Sequence, residues 1–290
     1  MKRSDFFKTS ALGLAGLSLL KADAAEKAET FKTNIDQVGF NHLPNPKNKI
    51  MNNSILIKAD SRGHADHGWL KANHSFSFAN YYNPERMHFG VLRVLNDDFI
   101  APGMGFGTHP HENMEIITIP LEGDLEHKDS MGHAEVIKMG DVQVMSAGTG
   151  VYHSEYNANK DKAVKLFQIW LFPNKKNVEP RYDQITLDVS KMDNNLMQIL
   201  SPFKDDEGVW IHQNAWFHMG KFDAGKSFKH QLNAPQGNGL YAMVVDGKYR
   251  VNGQELSQRD ALGIWETAEV DFEVIEEGRI LLMEVPMQLS

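Results

Sequence analysis

The feature that most limits the possible folds of this chain is the spacing of its turn residues after residue 30. Short runs of β-branched and aromatic residues recur there, separated by Gly, Asn, Asp or Pro, while long helical periods are scarce. The clearest runs of the first half are Phe89–Leu95, Met114–Ile119, Ala134–Lys138, Val142–Met145 and Leu166–Phe172. Regularly spaced short strands with turn residues between them predict an all-β sandwich or barrel.

The strand pattern pauses at residues 173–180 and then restarts. This stretch is polar with a proline at each end, which is typical of a connection between domains. The clearest later runs are Trp216–Phe222, Gly239–Val245, Lys248–Val251 and Arg279–Val285. The dipeptides at 246–247 and 252–253 are Asp-Gly and Asn-Gly, and both predict hairpin turns. We therefore predict two all-β domains, over residues 31–175 and 181–290.

The first 24 residues have the pattern of an export signal. A basic start is followed by an apolar stretch from Ala11 to Leu20 and then by Ala22-Asp23-Ala24. The apolar stretch is shorter than the roughly 20 residues needed to span a bilayer, so we expect no stable membrane insertion. The start resembles a twin-arginine signal in which Lys2 replaces the first arginine. We predict cleavage after Ala24 and export to the periplasm or cell envelope. The alternative is an amphipathic first helix of a cytoplasmic protein.

Composition restricts the chemistry of any functional site. The 290 residues include no cysteine, which excludes disulfides, thiolate metal sites and cysteine nucleophiles. A bound metal would need His, Asp or Glu ligands, and ten of the 13 histidines precede residue 154. The formal net charge of -8 argues against non-specific nucleic-acid binding, which needs a basic face. We expect a monomer with no nucleic-acid partner.

Two pairs of metal-ligating residues have strand spacing. His109 and His111 flank Pro110, which favours an extended backbone, and His153 and Glu155 form a second pair two residues apart. Residues two apart on a strand point to the same face. If the two segments are neighbours, three imidazoles and one carboxylate can reach one ion. Such a set suits Fe, Mn, Ni, Cu or Zn rather than Ca or Mg. Spacing alone leaves a chance pairing or structural histidines open.

A longer set of motifs resembles one known family. The motifs are His109-Pro-His111-x-x-x-Glu115, Leu121-Glu-Gly123, Glu126-His127-x-Asp129-Ser130-x-Gly132 and the segment from Gly140 to Glu155. Over about residues 60–175 they resemble the pirin family almost continuously. Pirins resemble double cupins, so the resemblance implies two tandem cupin (jelly-roll) β-barrels.

The resemblance also implies a metal site in the first barrel only. The implied ligands are His109, His111, His153 and Glu155. The implied metal is one divalent transition ion, with Fe(II) expected first and Mn, Ni, Cu or Zn as alternatives. Many other cupins take their fourth ligand from the first motif, which makes Glu115 an alternative ligand here.

The activity implied by the resemblance is that of a quercetin 2,3-dioxygenase. Such an enzyme would act on a small aromatic substrate such as a flavonol together with dioxygen, with Glu155 as the catalytic residue that accepts the hydroxyl proton. The alternative, also found in this family, is a non-catalytic metal-binding protein that acts as a redox-sensitive regulator of partner proteins. An exported protein favours the enzyme.

Several other residues allow both a functional and a structural interpretation. His127, Asp129 and Ser130 could support the metal ligands or stabilise a turn. The glycines at 103, 105 and 107 are expected to permit a tight turn. Residues expected to be structural histidines are His64, His67, His74, His212, His218 and His230. Residues that could line an aromatic pocket or pack in the core are Trp69, Phe76, Phe78, Tyr81 and Tyr82.

Overall fold

The structure, a computed structural model, describes residues 53–289, so the predicted export signal lies outside the described residues. Two short 3-10 turns, Ala59–Ser61 and Val189–Met192, accompany the strands. The first twelve strands are β1 Ser54–Ile57, β2 Gly63–Asp66, β3 Leu70–His74, β4 Leu92–Ile100, β5 Gly105–His111, β6 Glu115–Glu122, β7 Asp124–Asp129, β8 Ala134–Lys138, β9 Asp141–Ser146, β10 Val151–Asn157, β11 Val164–Leu171 and β12 Arg181–Thr186.

The remaining strands form the second half of the fold. They are β13 Asn195–Ser201, β14 Val209–Trp210, β15 Trp216–Phe222, β16 Ser227–Gln231, β17 Asn238–Val244, β18 Lys248–Val251, β19 Gln254–Ser257, β20 Ala261–Trp265, β21 Glu269–Glu276 and β22 Gly278–Pro286. Within residues 53–289 no helix is long and apolar enough to cross a membrane.

Each half of the fold pairs a large sheet with a small one. The N-terminal half has a seven-stranded sheet in the order β12-β9-β6-β11-β4-β3-β2 and a four-stranded sheet in the order β5-β10-β7-β8. The C-terminal half repeats this plan with the orders β1-β20-β17-β22-β15-β13-β14 and β16-β21-β18-β19. The prediction of an all-β fold with two tandem jelly-roll barrels is therefore confirmed.

The two halves exchange one edge strand each, which differs from the predicted domain boundary. Strand β12 begins at residue 181, the predicted start of the second domain, yet it pairs with β9 of the N-terminal sheet. Strand β1 pairs with β20 of the C-terminal sheet. Each exchanged strand covers an edge that would otherwise expose unpaired backbone groups. Sequence periodicity does not reveal pairing between distant segments, so the boundary at 175 and 181 divides the chain before its last N-terminal strand.

Only one of the two predicted hairpin turns closes a hairpin. Asn252 and Gly253 both have positive φ, 45° and 81°, and join the paired strands β18 and β19. This is the type I′ geometry expected of Asn-Gly. Asp246-Gly247 instead follows β17, which pairs with β20 and β22 rather than with β18. That turn therefore carries the chain from the large sheet to the small one.

An apolar core lies between the two large sheets, and the barrel interiors differ in polarity. The shared core includes Phe167 and Ile169 of β11 together with Leu281 and Met283 of β22. Side chains of a strand point to its two faces in alternation, so the residues that alternate with these core residues on β11 and β22 point into the barrels. On β22 the inward residue Leu282 belongs to an apolar interior cluster. The N-terminal interior cluster is smaller, and buried polar side chains accompany it, which positions the candidate site there.

Candidate metal centre

The register between β5 and β10 brings the predicted histidines together. His153 lies directly opposite His109, and Val151 lies opposite His111. His109 and His111 lie two residues apart on β5 and so face the same side of the sheet. The ring centroids of these three histidines are 4.4–4.9 Å apart. One ligand atom from each lies within 4.8 Å of those of the other two, which is the arrangement needed to share one ion.

A close approach of the two backbones makes this register possible. A Cβ atom built on Gly105 would lie only 2.1 Å from the carbonyl oxygen of Glu155, so no larger residue is accommodated there without a shift. A β-bulge lies between His153 and Glu155 in the same pairing. Bulges redirect side chains next to functional sites. Gly105 was predicted to permit a tight turn, but it lies on β5 and there permits close strand packing.

The ring nitrogens are suited to binding a cation. His109 Nδ1 lies 2.8 Å from the carbonyl oxygen of Gly107 and donates to it, which leaves Nε2 free to act as a ligand. His153 is only 2% exposed, and neither of its ring nitrogens has a hydrogen-bond partner in the protein. Buried polar groups normally have partners, so such a pair of orphaned nitrogens indicates a missing ligand or ion.

Burial keeps two imidazoles of the cluster, those of His111 and His153, neutral. It lowers the pKa of His153 to about 2, with further lowering by the neighbouring His109 and His127. Burial also holds the pKa of His111 well below its ordinary value, and His153 and His109 add to the effect. A metal ligand must present an unprotonated nitrogen. His111 and His153 therefore meet this requirement without a proton having to be displaced near neutral pH.

Glu155 lies next to the histidine cluster but is engaged by a glutamine. Both carboxylate oxygens accept from Gln168 Nε2, at 3.0 and 3.2 Å. Gln168 Oε1 in turn accepts from the Thr118 hydroxyl at 3.2 Å. A ligand atom of Glu155 lies within 4.8 Å of ligand atoms of His153 and His127, a second cluster that shares His153 with the first. The assignment of Glu155 as fourth ligand stays a prediction.

His127 lies next to His153, and its predicted role in supporting the metal ligands stays a prediction. Its ring is buried and lies 5.3 Å from that of His153. His127 Nε2 lies 3.1 Å from Asp129 Oδ2, and His133 Nδ1 lies 2.9 Å from the same oxygen. Burial raises the pKa of Asp129, but the hydrogen bonds from His127 and His133 outweigh it and lower the pKa overall. Asp129 therefore orients His127.

The turn interpretation holds for two of these residues. Asp129 Oδ1 accepts from the backbone N–H groups of Met131 and His133, at 2.8 and 3.1 Å. The Ser130 hydroxyl accepts from the backbone N–H of Tyr152 at 3.1 Å. Asp129 thus stabilises the turn and orients His127 at once, whereas Ser130 fixes the turn against β10.

Three residues at the site were missed by the sequence reasoning. Gln168 and Trp170 occupy inward positions of β11, and Asp98 occupies one on β4. The Trp170 ring packs edge-on to His111 at 4.8 Å, and its buried indole N–H has no acceptor in the protein. Burial, then the nearby Asp97 and Glu155, raise the pKa of Asp98 well above its ordinary value. A lone glutamine within the apolar run Leu166–Phe172 was the available signal.

The residues considered for an aromatic pocket separate into different environments. Phe78 packs edge-on to Trp170 at 5.3 Å and therefore lies behind the site. Phe76 contacts Tyr241 in the core between the sheets. Trp69 packs against Phe106. Tyr82 is 73% exposed.

Two of the upstream histidines have the structural role expected of them. His74 Nδ1 lies 2.8 Å from Asn96 Oδ1, and His64 Nδ1 lies 3.2 Å from Asn73 Oδ1. These contacts fix neighbouring strands.

Glu115, the alternative fourth ligand, faces away from the histidines. Its β6 neighbours at alternate positions, Ile117 and Ile119, belong to the core between the large sheets. The Glu115 carboxylate accepts from the Ser146 hydroxyl at 2.7 Å. Burial raises its pKa to about 7, although Ser146 and the nearby Arg181 act in the opposite direction. Glu115 belongs to neither donor cluster of the described residues, so its placement favours a structural role.

This buried carboxyl predicts a pH dependence of stability. The pKa of Glu115 is about 7 in the folded protein against an ordinary 4.5, so the folded state holds the proton to higher pH. The corresponding stability is fully present below pH about 4.5 and is lost as pH rises to about 7, by about 3 kcal/mol in all. We expect Glu115→Gln to lose less stability over this interval than the parent protein.

Urea unfolding at pH 4.5 and 7.5 measures the difference. Glu85→Gln, a substitution of an exposed glutamate, is the matched control and should leave the pH dependence unchanged. An equal loss of stability in Glu115→Gln and the parent protein would contradict the assignment.

The chain is similar to known proteins along most of its length. Residues 57–171 match the family described as Pirin, and residues 198–285 match the one described as Quercetinase C-terminal cupin domain. A relative in Escherichia coli K12 named "Quercetin 2,3-dioxygenase" is 42% identical over 231 residues, covering 80% of this chain and 98% of that protein. A "Pirin-like protein" of Caulobacter vibrioides is 38% identical over 226 residues, covering 78% and 96%.

A solved structure agrees with these matches. The structure described as bacterial pirin YhhW from Escherichia coli in complex with nickel(II) has 41% identity and a TM-score of 0.76, covering 80% of this chain and 99% of that one. The described fold, the histidine cluster and the extent of these matches lead to one conclusion: the chain belongs to the pirin family.

Proposed function

We propose that this chain is a metal-dependent oxidoreductase of the quercetin 2,3-dioxygenase type. The observation that carries the proposal is the cluster of three histidines, with two orphaned nitrogens on His153, at the interior of the N-terminal barrel. A relative named for this activity aligns with 80% of the chain, which supports the same chemistry. Fold alone does not determine activity, so the site carries the argument.

His109, His111, His153 and Glu155 would hold the metal. Three imidazoles and one carboxylate are a donor set typical of first-row transition ions. A divalent ion bound there supplies Lewis acidity, which favours the ionised form of a substrate hydroxyl and orients it. We propose Fe(II) as the resident ion. The nickel complex of the YhhW structure supports nickel as a functional alternative, with Mn, Cu and Zn next.

Glu155 is placed to accept the proton of the substrate hydroxyl. Its carboxylate is buried and bonded through both oxygens to the Gln168 amide. Because Thr118 donates to Gln168 Oε1, the amide is oriented with its N–H groups toward Glu155. Gln168 thus stabilises Glu155 as an acceptor and gives it a partner away from the metal. The Gln168 amide therefore compensates the buried carboxylate until Glu155 takes the proton and becomes neutral.

Aromatic side chains would hold and shield a flat substrate. Trp170 is 6% exposed, packs on His111 and is supported by Phe78. Its unpaired indole N–H is a donor for an acceptor group of the substrate. Exclusion of water by such side chains strengthens the polar contacts at the reacting atoms. In the overall reaction both atoms of dioxygen enter the ring-opened product, and one ring carbon leaves as carbon monoxide.

Aerobic turnover of quercetin tests the proposal. Apo-protein reconstituted separately with iron, manganese, nickel or copper should consume oxygen in the presence of quercetin with at least one metal. Carbon monoxide should form in equal amount, which distinguishes this cleavage from other oxidations. Apo-protein kept in chelator is the control. Absence of turnover with every metal, in protein shown to hold metal, would favour the alternative of a non-catalytic metal-binding regulator.

A further inference from the structure

The C-terminal barrel does not repeat the metal site of the N-terminal barrel. The order of its small sheet matches strand for strand, so β16 corresponds to β5 and β21 to β10. His230 lies opposite Val270 and Phe228 opposite Phe272, just as His111 lies opposite Val151 and His109 opposite His153. Phenylalanines therefore occupy the positions that correspond to His109 and His153. Phe228 stacks on Phe272 at 4.7 Å, which fills that space with apolar rings.

Two histidines of this barrel nevertheless meet in its interior. His218 lies on β15 and His230 on β16, and their ring centroids are 4.9 Å apart. The histidine pairs of the first site have centroid distances of 4.4–4.9 Å, so this pair has the separation found there. Both were predicted to be structural histidines, because neither has a paired acid at strand spacing.

Neither ring has the protein partner that a structural histidine requires. His218 Nδ1 and His230 Nε2 are both fully buried and make no hydrogen bond to the protein. His230 is only 7% exposed. By contrast, His74 and His64 each bond to an asparagine. A buried ring nitrogen without a partner is costly, and a bound ligand is one way to satisfy it.

A buried carboxylate near the pair determines the charge of a suitable ligand. Glu284 is 0% exposed. On β22, Leu282 pairs with His218, and Glu284 occupies the next inward position, two residues further along the strand. Four N–H groups donate to its two oxygens, from Asn233, Ala234 and Asn238, which is the pattern of an ionised carboxylate. Within residues 53–289 no lysine or arginine forms an ion pair with it.

The charges around the pair select a cation over an anion. Burial lowers the pKa of His218 to about 4, and burial lowers the pKa of His230 as well, with Glu284 acting in the opposite direction. Both rings are therefore neutral near pH 7 and offer lone pairs. Asp206 is also close enough to raise the pKa of His218. Two neutral imidazoles beside negative charges attract a positive ion and repel an anion.

We propose that His218 and His230 form a second cation site, inside the C-terminal barrel, for a transition-metal ion that prefers imidazole nitrogen, such as Zn²⁺. The negative charge of Glu284 partly compensates the ion without touching it. Water completes the coordination, because the described part of this barrel offers no cluster of three donor residues. The proposal is an alternative to the sequence prediction of a C-terminal barrel without metal, and it does not depend on the dioxygenase activity.

Zinc binding by a full-length variant without the first site tests this proposal. In the triple variant His109→Ala, His111→Ala, His153→Ala, equilibrium dialysis and elemental analysis should find about one zinc ion per chain. Adding His218→Ala, or His230→Gln as a polar replacement, should abolish that binding. Adding Glu284→Gln should weaken it by about 10–100-fold, as loss of an outer carboxylate does. Adding His212→Ala, which replaces the remaining histidine after residue 181, should leave it unchanged.

Two outcomes would overturn the proposal. One is a folded triple variant, with near-UV circular dichroism like the parent protein, that binds no zinc. The other is zinc binding that survives replacement of both His218 and His230, which would place the ion elsewhere. Copper(II) bound to the triple variant gives an independent readout, since its electron paramagnetic resonance spectrum should show coupling to two nitrogens.

Discussion

Replacing His153 with alanine is expected to remove the metal of the N-terminal barrel and, with it, turnover. His153 belongs to both donor clusters of the described residues, and both its ring nitrogens lack protein partners. Loss of an outer contact costs roughly 10–100-fold in metal affinity, so loss of this central ligand should cost more. Turnover should fall in step with metal occupancy, because the substrate hydroxyl loses its Lewis acid in every chain without metal.

Elemental analysis and oxygen uptake measure the two effects on the same samples. His218→Ala included as a background substitution abolishes the proposed second site, so that the count of ions reports the first site. His109→Ala should also lose metal, with one ring nitrogen fewer in the cluster. His64→Ala, which removes an exposed histidine bonded to Asn73, should keep both metal and turnover. Full occupancy in both His153→Ala and His109→Ala would refute the assignment.

The histidine cluster could be predicted from the sequence because it depends on the spacing of residues that are close together in the chain. His109 and His111 must share a face, because they lie two residues apart on a strand and Pro110 keeps the backbone extended. The pairing of β5 with β10 then brings His153 opposite His109. The choice between Glu155 and Glu115 rested on the resemblance instead. The structure places Glu115 against Ser146, on the face of β6 that points away from the histidines. A sequence motif alone does not reveal which face a residue occupies.

Contacts between distant strands could not be predicted in the same way. Gln168 reaches Glu155 across the barrel, and the pair His218–His230 forms only when β15 and β16 fold toward each other. The exchange of β1 and β12 between the large sheets is another case. Each depends on which strands become neighbours, and hydrophobic periodicity reports only which face of a strand is buried.

The two barrel interiors explain why one barrel carries the chemistry. In the N-terminal barrel, the inward residues Gln168 of β11 and Thr118 of β6 lie opposite each other. In the C-terminal barrel, the corresponding pair is Leu282 of β22 and Ala242 of β17. The polar pair Thr118–Gln168 extends from Glu155 across the barrel. Buried polar groups of this kind are acceptable only when they satisfy each other. Their presence beside the histidines therefore indicates a role at the site rather than in packing.

Glu155→Gln is expected to lower turnover by about 10²–10⁴-fold, the usual contribution of a positioned general base. Glutamine has the shape of glutamate and can still accept one hydrogen bond from Gln168, but it does not take a proton near neutral pH. If Glu155 accepts the substrate proton, kcat should fall while KM changes little. Glu112→Gln, an exposed substitution next to His111, should leave both constants unchanged.

Metal content separates the two roles proposed for Glu155. A variant that retains its metal but loses turnover supports the proton-accepting role, whereas parallel loss of metal and turnover assigns Glu155 mainly to the ligand set. Turnover equal to that of the parent protein would exclude both. Gln168→Leu then distinguishes support from chemistry. It removes the partner that Glu155 uses away from the metal, so the carboxylate should bind the metal more persistently. We expect metal retention to improve and kcat to fall, a combination that simple misfolding does not produce.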